Sequence, residues 1–564
     1  MASTAHRAEA VGFLFAASFG VLFYFVWAGW RFLDPQNVGW LRVGDRAMHT
    51  IGWFFYRVTP WSWPPGLNPR NGIEVSSSVA LSDSLPLFAV PFKLLSPLLP
   101  TVFQYWGLWF LTSMILMAVF GYAIGRELDL SRPVSVALGA LMVLTPAFLW
   151  RMPVHMALAG HWVLLAAIWL YVKRVPPRRF AWPLLVAVTS AVHAYLLAMV
   201  IAIWGAALVE RLWTKRMRWM SAALEAALGV GAMLVVMWSV GFFVTSSLGA
   251  PGFGLYRMNL DSFLDSNNWS WIVPNLPSAD GDYEGAIYPG LGVLILLVLG
   301  LALGFRRLRG IVSPRWLPLF IVALGLAIFA VSDRPTFGTT VLGTIPLPQQ
   351  LLDFFSMFRA SGRMVWPAGY LVVLLGFVLL GNRLPARALA VLAVVAVAVQ
   401  AVDTSRGWAK FAATQPGPSA SWPTPLRSSF WAIAAQHYKR IRTIPVSGMH
   451  HYWAELSYFA AFHGMASDAT YLGRLDARAF SALKAKAARA LSAGTFDPEA
   501  LYVLDGPAAA AAQRWVEAGD LLSTVDGLIV FARGGRRYAD IAALGMPAYQ
   551  PPTMVVAGEP VRRD

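Results

Sequence analysis

The chain has 564 residues, 57% hydrophobic and 13% charged, against roughly 25% charged in an ordinary soluble protein. That composition is costly in water and natural in lipid, and its 25 Trp and 17 Tyr suit two interfacial belts. The lack of cysteine excludes disulfides, thiolate zinc sites and Cys nucleophiles, and the net charge of +16 sits in short loops between apolar runs, which argues against a nucleic-acid-binding domain.

The first apolar run begins near Val11 and lacks a small-residue cleavage site, so it reads as a retained helix and not a signal peptide. Eleven candidate spans follow at about 11–30, 102–125, 134–150, 156–172, 181–192, 194–209, 220–246, 287–304, 316–332, 366–381 and 386–402. In lipid such runs must be helical to satisfy their own backbone groups. The loops carrying Lys173, Arg174, Arg178 and Arg179, then Arg211, Lys215, Arg216 and Arg218, then Arg306, Arg307, Arg309 and Arg315, then Arg383 to Arg387, are basic and therefore cytoplasmic. Residues 247–286 carry Asp261, Asp265, Asp280, Asp282 and Glu284 against Arg257, and are placed outside. Both flanks of 181–209 are basic, so a hairpin turning near His193 is preferred over one tilted helix. Eleven crossings put the N-terminus inside and everything after about 403 outside. The spans themselves read as nearly charge-free.

Two regions lie outside the spans. Residues 31–101 form a long first outer loop, in which Trp61-Ser62-Trp63-Pro64-Pro65-Gly66 points to short interfacial helices. Residues 403–564 open on a Pro/Ser-rich linker, Gln415 to Pro425, and continue as a soluble α/β domain. Its strands are expected around Tyr502-Val503-Leu504 and Leu528 to Phe531, and its helices over Ala477–Leu491 and Ala508–Ala518. The fold class is thus a polytopic α-helical membrane protein, with a membrane domain over 1–402 and an α/β domain over 403–564.

The first outer loop concentrates the polar chemistry. Gly44-Asp45-Arg46 is followed by His49, Trp53 and Arg57, then by Ser82-Asp83-Ser84 and Lys93. A carboxylate flanked by cations at a membrane surface can serve as a general base while the cations steady an anionic leaving group. Asp45 or Asp83 can equally be a helix cap. Arg359 and Arg363, four apart, share a helix face suited to a phosphate headgroup, or snorkel at an interface. His155, His161 and His193 are candidates for binding substrate oxygens or protonating a phosphate. The spacing of His155 and His161 is wrong for a helical metal pair, the adjacent His450 and His451 chelate poorly, and no metal site is expected. Asp280, Asp282 and Glu284 read as a solvated loop in preference to a cation site. Trp453, Tyr458 and Tyr471 read as core ahead of a sugar-stacking platform. No Walker loop, dinucleotide fingerprint or nucleophile elbow occurs, which argues against direct use of nucleotide energy and against a hydrolase.

The stretches Gly44-Asp45 through His49 and Trp53, Trp61 through Gly66, Ser82 through Ser84, Phe103-Gln104-Tyr105, Arg151 through His161, Arg359 through Arg363, and His463 through Asp468 with Tyr471-Leu472 resemble an uncharacterised bacterial branch of the GT-C superfamily of membrane glycosyltransferases. The resemblance implies transfer of a sugar from a polyprenyl-phosphate donor to an acceptor hydroxyl, with inversion, on the periplasmic side of the bacterial inner membrane. It implies Asp45 as first choice of base and Asp83 as second. Arg359, Arg363, Lys93 and His155 would meet the donor phosphate, and His49, Arg57, Ser82, His161 and His193 the substrates. The expected partners are the lipid-linked sugar, a glycan or glycolipid acceptor and membrane lipids. One acidic residue, followed by Arg46, stands where the superfamily often has an acidic pair, which favours transfer without a metal or other cofactor. A lipid or glycan flippase is the alternative from another class.

Overall fold

The computed structural model describes residues 2–75, 77–175, 177–245, 251–306, 313–446, 451–472 and 476–550. Arg307, Arg309 and His450, named above, lie outside them. The chain divides into two compact units, one of residues 1–50, 62–67 and 79–422, the other of 51–61, 68–78 and 423–564. The expected boundary at 402/403 falls inside a helix, Ala386–Trp408.

The first unit is helical, with residues 51–58 of its second helix counted in the second unit. In chain order come α1 (Ala2–Trp27), α2 (Asp45–Val58), α3 (Pro86–Leu94), α4 (Trp106–Glu127), α5 (Arg132–Val143), α6 (Pro146–Val154), α7 (Trp162–Val172), α8 (Ala181–Ser190), α9 (Ala194–Trp213), α10 (Trp219–Ser239), α11 (Leu291–Gly304) and α12 (Leu317–Val331). A hairpin of β1 (Thr336–Phe337) and β2 (Thr340–Val341) precedes α13 (Gln349–Phe355), α14 (Trp366–Gly381), α15 (Ala386–Trp408) and α16 (Lys410–Thr414). Among the described residues, six helices are long and apolar enough to cross a membrane, and the α5–α6 pair, bent by 40°, makes a seventh if it is one span. The remaining apolar runs form shorter helices. The protein is an integral membrane protein.

Local chemistry explains the breaks. Pro146 opens α6 without an N–H to donate, and the residue before it, Thr145, is extended at φ −68°, ψ 121°. At 191–193 the preferred break is present. His193 is extended and caps α9, its Nδ1 accepting from the Tyr195 N–H at 3.1 Å. Where helices touch, small residues let backbones approach. A Cβ on Gly121 would stand 2.7 Å from the Gly139 Cα, and one on Gly139 would stand 2.4 Å from the Ala118 carbonyl.

The charged residues inside the expected spans are Glu225 and Arg387, and further charges sit at the helix ends just beyond them. Glu225 in α10 is buried and takes both terminal nitrogens of Arg211 in α9 at 3.0 and 2.6 Å, with the Trp204 indole N–H at 2.9 Å. Glu9 of α1 likewise pairs with Arg126 and Arg132, at 3.1 and 3.2 Å. Charges inside such a bundle persist because each is paired and hydrogen-bonded.

The second unit carries a five-stranded mixed sheet in the order β4-β3-β5-β7-β6. Its strands are β3 (Arg440–Ile444), β4 (Ala466–Ser467), β5 (Ala500–Leu504), β6 (Leu521–Val525) and β7 (Leu528–Ala532). β3 runs parallel to β4 and β5, and β7 antiparallel to β5 and β6. The β6–β7 hairpin turns on Asp526-Gly527, both at positive φ (51° and 80°), as a two-residue turn of this hand requires. The expected helix over Ala477–Leu491 forms as Ala477–Ala493, whereas the one over Ala508–Ala518 spans Gly506–Gln513. Beyond its end a turn follows in which Asp520 accepts from the Glu517 N–H at 3.0 Å. Beside β3, Arg442 binds Glu74 at 2.6 Å and Asp468 at 3.3 Å, and Lys486 reaches Glu74 at 2.7 Å. Burial pushes the Asp468 carboxyl up to about 6, against the pull of Arg442. Burial would also raise Glu74, but its bonds to Arg442 and Lys486 win and hold it at about 2.

Two outcomes follow. Gly139→Leu forces α4 and α5 apart and costs at least about 1–3 kcal/mol, seen as a lower thermal midpoint in detergent; a wild-type midpoint contradicts the close approach. The folded Asp468 binds its proton more tightly than the unfolded chain, so its contribution to stability is complete below about pH 4 and lost as pH rises to about 6. Asp468→Asn should flatten that segment of the denaturation-midpoint profile of the second unit. An unchanged slope refutes it.

Candidate functional site

Three backbone features of the first unit bring the polar groups together. Gly44, at φ +58°, turns the chain so that Asp45 opens the first turn of α2, where the helix field favours a carboxylate. α6 contains Pro153 and ends at His155. The short turns Asp282–Gly285 and Ser361–Val365 meet through glycine: a Cβ on Gly362 would lie 2.7 Å from the Gly285 backbone nitrogen.

Glu284 is the centre. Its carboxylate is buried at 3% exposure and takes two bonds from Arg363, both 2.8 Å, and one from Arg151 at 2.7 Å. Arg151 also donates to the Glu284 carbonyl at 3.0 Å. Burial alone would raise this carboxyl; Arg151 and Arg363 overcome it and hold it well below the usual carboxylate range. The acidic stretch is therefore not a solvated loop. Asp282 is buried too, 3.3 Å from Arg257, and only Asp280 of the three is exposed.

Above this centre stands His155. Its Nε2 is 3.0 Å from Asp45 Oδ2 and 3.2 Å from Arg363 Nη2. Arginine can only donate and an ionised carboxylate can only accept. One ring nitrogen cannot satisfy both, so the proton at Nε2 follows the state of Asp45. With Asp45 ionised, Nε2–H donates to it; with Asp45 protonated, Asp45 O–H donates to the bare nitrogen. Burial raises the Asp45 carboxyl against the pull of Arg363, and burial followed by Arg363 holds the imidazole well below its ordinary value. Both groups keep about a fifth to a quarter of their side-chain surface open, so this is a reachable, proton-sharing pair.

A second carboxylate–histidine pair lies nearby. Asp83 Oδ1 is 3.6 Å from His193 Nε2. Asp83 and Leu85 adopt φ of +48° and +53°, costly for non-glycine residues and worst for a bulky one. The loop is fixed by Ser84, whose hydroxyl meets Ser82 at 2.9 Å and donates to the His49 carbonyl at 2.8 Å, and whose carbonyl accepts from the Tyr105 hydroxyl. Tyr195 links the pairs. Its ring lies 5.0 Å from the Arg363 guanidinium, and its hydroxyl accepts from the Ala360 N–H at 2.9 Å.

The remaining expected site residues separate. Arg359 and Arg363 do not share a helical face, because 3-10 turns replace the helix there. Arg363 is committed to Glu284, whereas Arg359 sits 5.8 Å over Tyr256 and has no carboxylate partner among the described residues. His49, one turn beyond Asp45, is fully enclosed beside Trp106, with neither ring nitrogen hydrogen-bonded among the described residues. Burial pushes it down to about 3, so it is a neutral wall and not a substrate-facing group. His161 is also core, its Nδ1 2.7 Å from the Tyr370 hydroxyl and its ring 4.2 Å from Trp366. Ser82 is buried. Lys93 is buried in α3, which lowers its ammonium to about 8. Arg57 belongs to the second unit, as do Trp453 and Tyr471, half-buried against each other at 5.8 Å. The described residues contain no His, Asp and Glu grouping placed to hold a metal. The sequence reading missed Glu284 and Arg151. The signal for Arg151 was present: a lone arginine inside an apolar run requires a carboxylate.

Removing the Glu284 carboxylate leaves two buried guanidiniums unneutralised. Glu284→Ala should cost about 3–5 kcal/mol. Glu284→Gln combined with Arg363→Gln should cost less than the sum of the two single changes by at least about 1 kcal/mol in a double-mutant cycle; strict additivity contradicts the pairing.

No curated protein and no solved structure matches this chain. Residues 17–405, which hold all of these site groups, match the family described as domain of unknown function (DUF6311), and residues 430–533 match the DUF6311 C-terminal domain. The chain belongs to the DUF6311 family.

Proposed function

We propose that the protein is a membrane glycosyltransferase that moves a sugar from a polyprenyl-phosphate donor to an acceptor hydroxyl at the outer face of a bacterial inner membrane. The observation that carries this reading is the Asp45–His155 pair, a reachable base whose proton has two places to rest, set beside arginines in a membrane protein. Asp45 takes the proton of the acceptor hydroxyl. The acceptor oxygen forms its bond to the anomeric carbon as the bond from that carbon to the phosphate oxygen breaks. The electron pair leaves with polyprenyl phosphate, and the configuration inverts. The gained proton sits on Asp45, because Nε2 of His155 already carries its proton while Asp45 is ionised.

The leaving phosphate needs positive charge that is not already spent. Arg363 is spent on Glu284, so Arg359, which also acts on Asp45 through its charge, is assigned to the phosphate. Arg363 keeps His155 Nε2 oriented toward Asp45. Asp83 with His193 forms the other polar wall and is assigned to acceptor positioning. The sequence resemblance to GT-C enzymes, in which an acidic residue soon after the first span is the expected base, supports this reading of Asp45.

Asp45→Asn should lower donor cleavage, read as polyprenyl phosphate released in detergent micelles, by about 10²–10⁴-fold with an unchanged thermal midpoint. Arg359→Ala should mainly raise the donor KM. Wild-type turnover by Asp45→Asn sinks the assignment. Absence of any donor cleavage by the wild-type protein across polyprenyl-phosphate sugars would favour a flippase.

A further inference from the structure

A second ligand site lies at the opposite end of α14 from Arg363. An apolar cleft of about 860 Å³ runs between α12 and α14, as large as a cavity for a sizeable small molecule (roughly 300–1,000 Å³). Leu371, Leu375 and Val378 line it from α14, and Phe320, Leu324 and Ala327 from α12. Its lining extends along α14 from Ala368 to Asn382, about 20 Å at 1.5 Å per residue. That is the dimension of a lipid chain lying along the bilayer normal, since the hydrocarbon core is about 30 Å thick.

One end of the cleft is polar. Trp316 and Asn382 line it there, together with Leu128 and Val172 at the C-terminal ends of α4 and α7. Their sequence neighbours are Arg315 and Arg383. Several cations near this end are already paired: Arg126 and Arg132 with Glu9, Lys173 with Glu127, Arg174 with Asp129. Arg315 and Arg383 have no carboxylate partner among the described residues. Arg315 donates to the Val172 carbonyl at 2.8 Å and lies 5.3 Å over Trp316, and its Nε is shut off from solvent without a hydrogen-bond partner among the described residues. An apolar cleft with the Arg315 guanidinium, which has no carboxylate partner among the described residues, set against its lining residues Trp316 and Val172, and with Arg383 next in sequence to its Asn382, is complementary to a lipid with an anionic headgroup.

We infer that this cleft binds an anionic glycerophospholipid of the leaflet at the basic end, its acyl chain between α12 and α14 and its phosphate on Arg315 and Arg383. The occupant is not the proposed sugar donor. Arg363 and Asn382 lie at opposite ends of α14, 16 residues or about 24 Å at 1.5 Å per residue, so a donor reacting at Asp45 cannot also set its phosphate at the basic mouth. The inference stands without the proposed glycosyl transfer, because it concerns a separate end of the bundle.

The test is native mass spectrometry of the full chain in detergent, titrated with phosphatidylglycerol, phosphatidylcholine or polyprenyl phosphate. Phosphatidylglycerol should remain bound where phosphatidylcholine dissociates. Arg315→Ala and Arg383→Ala should each weaken it about fivefold, the equivalent of about 1 kcal/mol per basic residue at a membrane surface. Arg315→Lys should retain most binding. Ala327→Trp, which fills the cleft without touching its mouth, should abolish it, with the thermal midpoint recorded for each variant. Should one variant fail to fold, the headgroup comparison on the wild-type protein decides. Equal retention of both phospholipids, or displacement of phosphatidylglycerol by stoichiometric polyprenyl phosphate, overturns the inference.

Discussion

The Glu284 carboxylate sets the conditions for everything else in the membrane unit. It neutralises Arg151 at the end of the bent α5–α6 pair and Arg363 at the entry to α14. Each of those guanidiniums, alone in an apolar surrounding, would cost several kcal/mol. Three segments distant in sequence are thereby held to one point: the last turn of α6, the loop before α11 and the turn before α14. One carboxylate between two guanidiniums leaves one positive charge in excess there, and Asp45 with His155 and Arg359 stands at its edge, open to chemistry.

That edge has a particular proton logic. Arg363 faces His155 Nε2 as a donor, which opposes a proton on that nitrogen, while ionised Asp45 asks for one. Burial lifts the affinity of Asp45 for a proton, and the cation restrains the rise. A base poised this way accepts a proton without needing bulk water at the moment of reaction. The strained backbone at Asp83 and Leu85 beside it is of the kind that persists where the surroundings over-determine a functional loop.

Much of the architecture was legible because its causes are local. Lipid enforces helix on every apolar run, so each of the eleven runs is helical. A break at His193 followed from two basic flanks, and two strands of the sheet from the apolar runs Tyr502-Val503-Leu504 and Leu528 to Phe531. Lengths were less legible: Pro146 divides one run into two bent pieces, and α8, at 10 residues, is half the length of α9, at 20. The site was legible in part. Asp45, Asp83, His155 and His193 were picked out as polar groups of outer loops, and they fall into two pairs. Their pairing is tertiary and has no signature in spacing. Glu284 was misjudged because acidic residues in a row resemble a solvated loop; only the knowledge that Arg151 needs a buried partner connects them. His49 and His161 looked like ligands because a histidine's burial is not written in its neighbours.

The account rests on Asp45 facing the reacting bond of a lipid-linked sugar, and a structure by electron cryomicroscopy with a polyprenyl-phosphate donor analogue bound tests this most directly. The account predicts phosphate density within hydrogen-bond reach of Arg359, and the analogue's anomeric carbon on the side of Asp45 and His155. A headgroup bound elsewhere in the bundle, with the Asp45–His155 pair left facing protein alone, would contradict it.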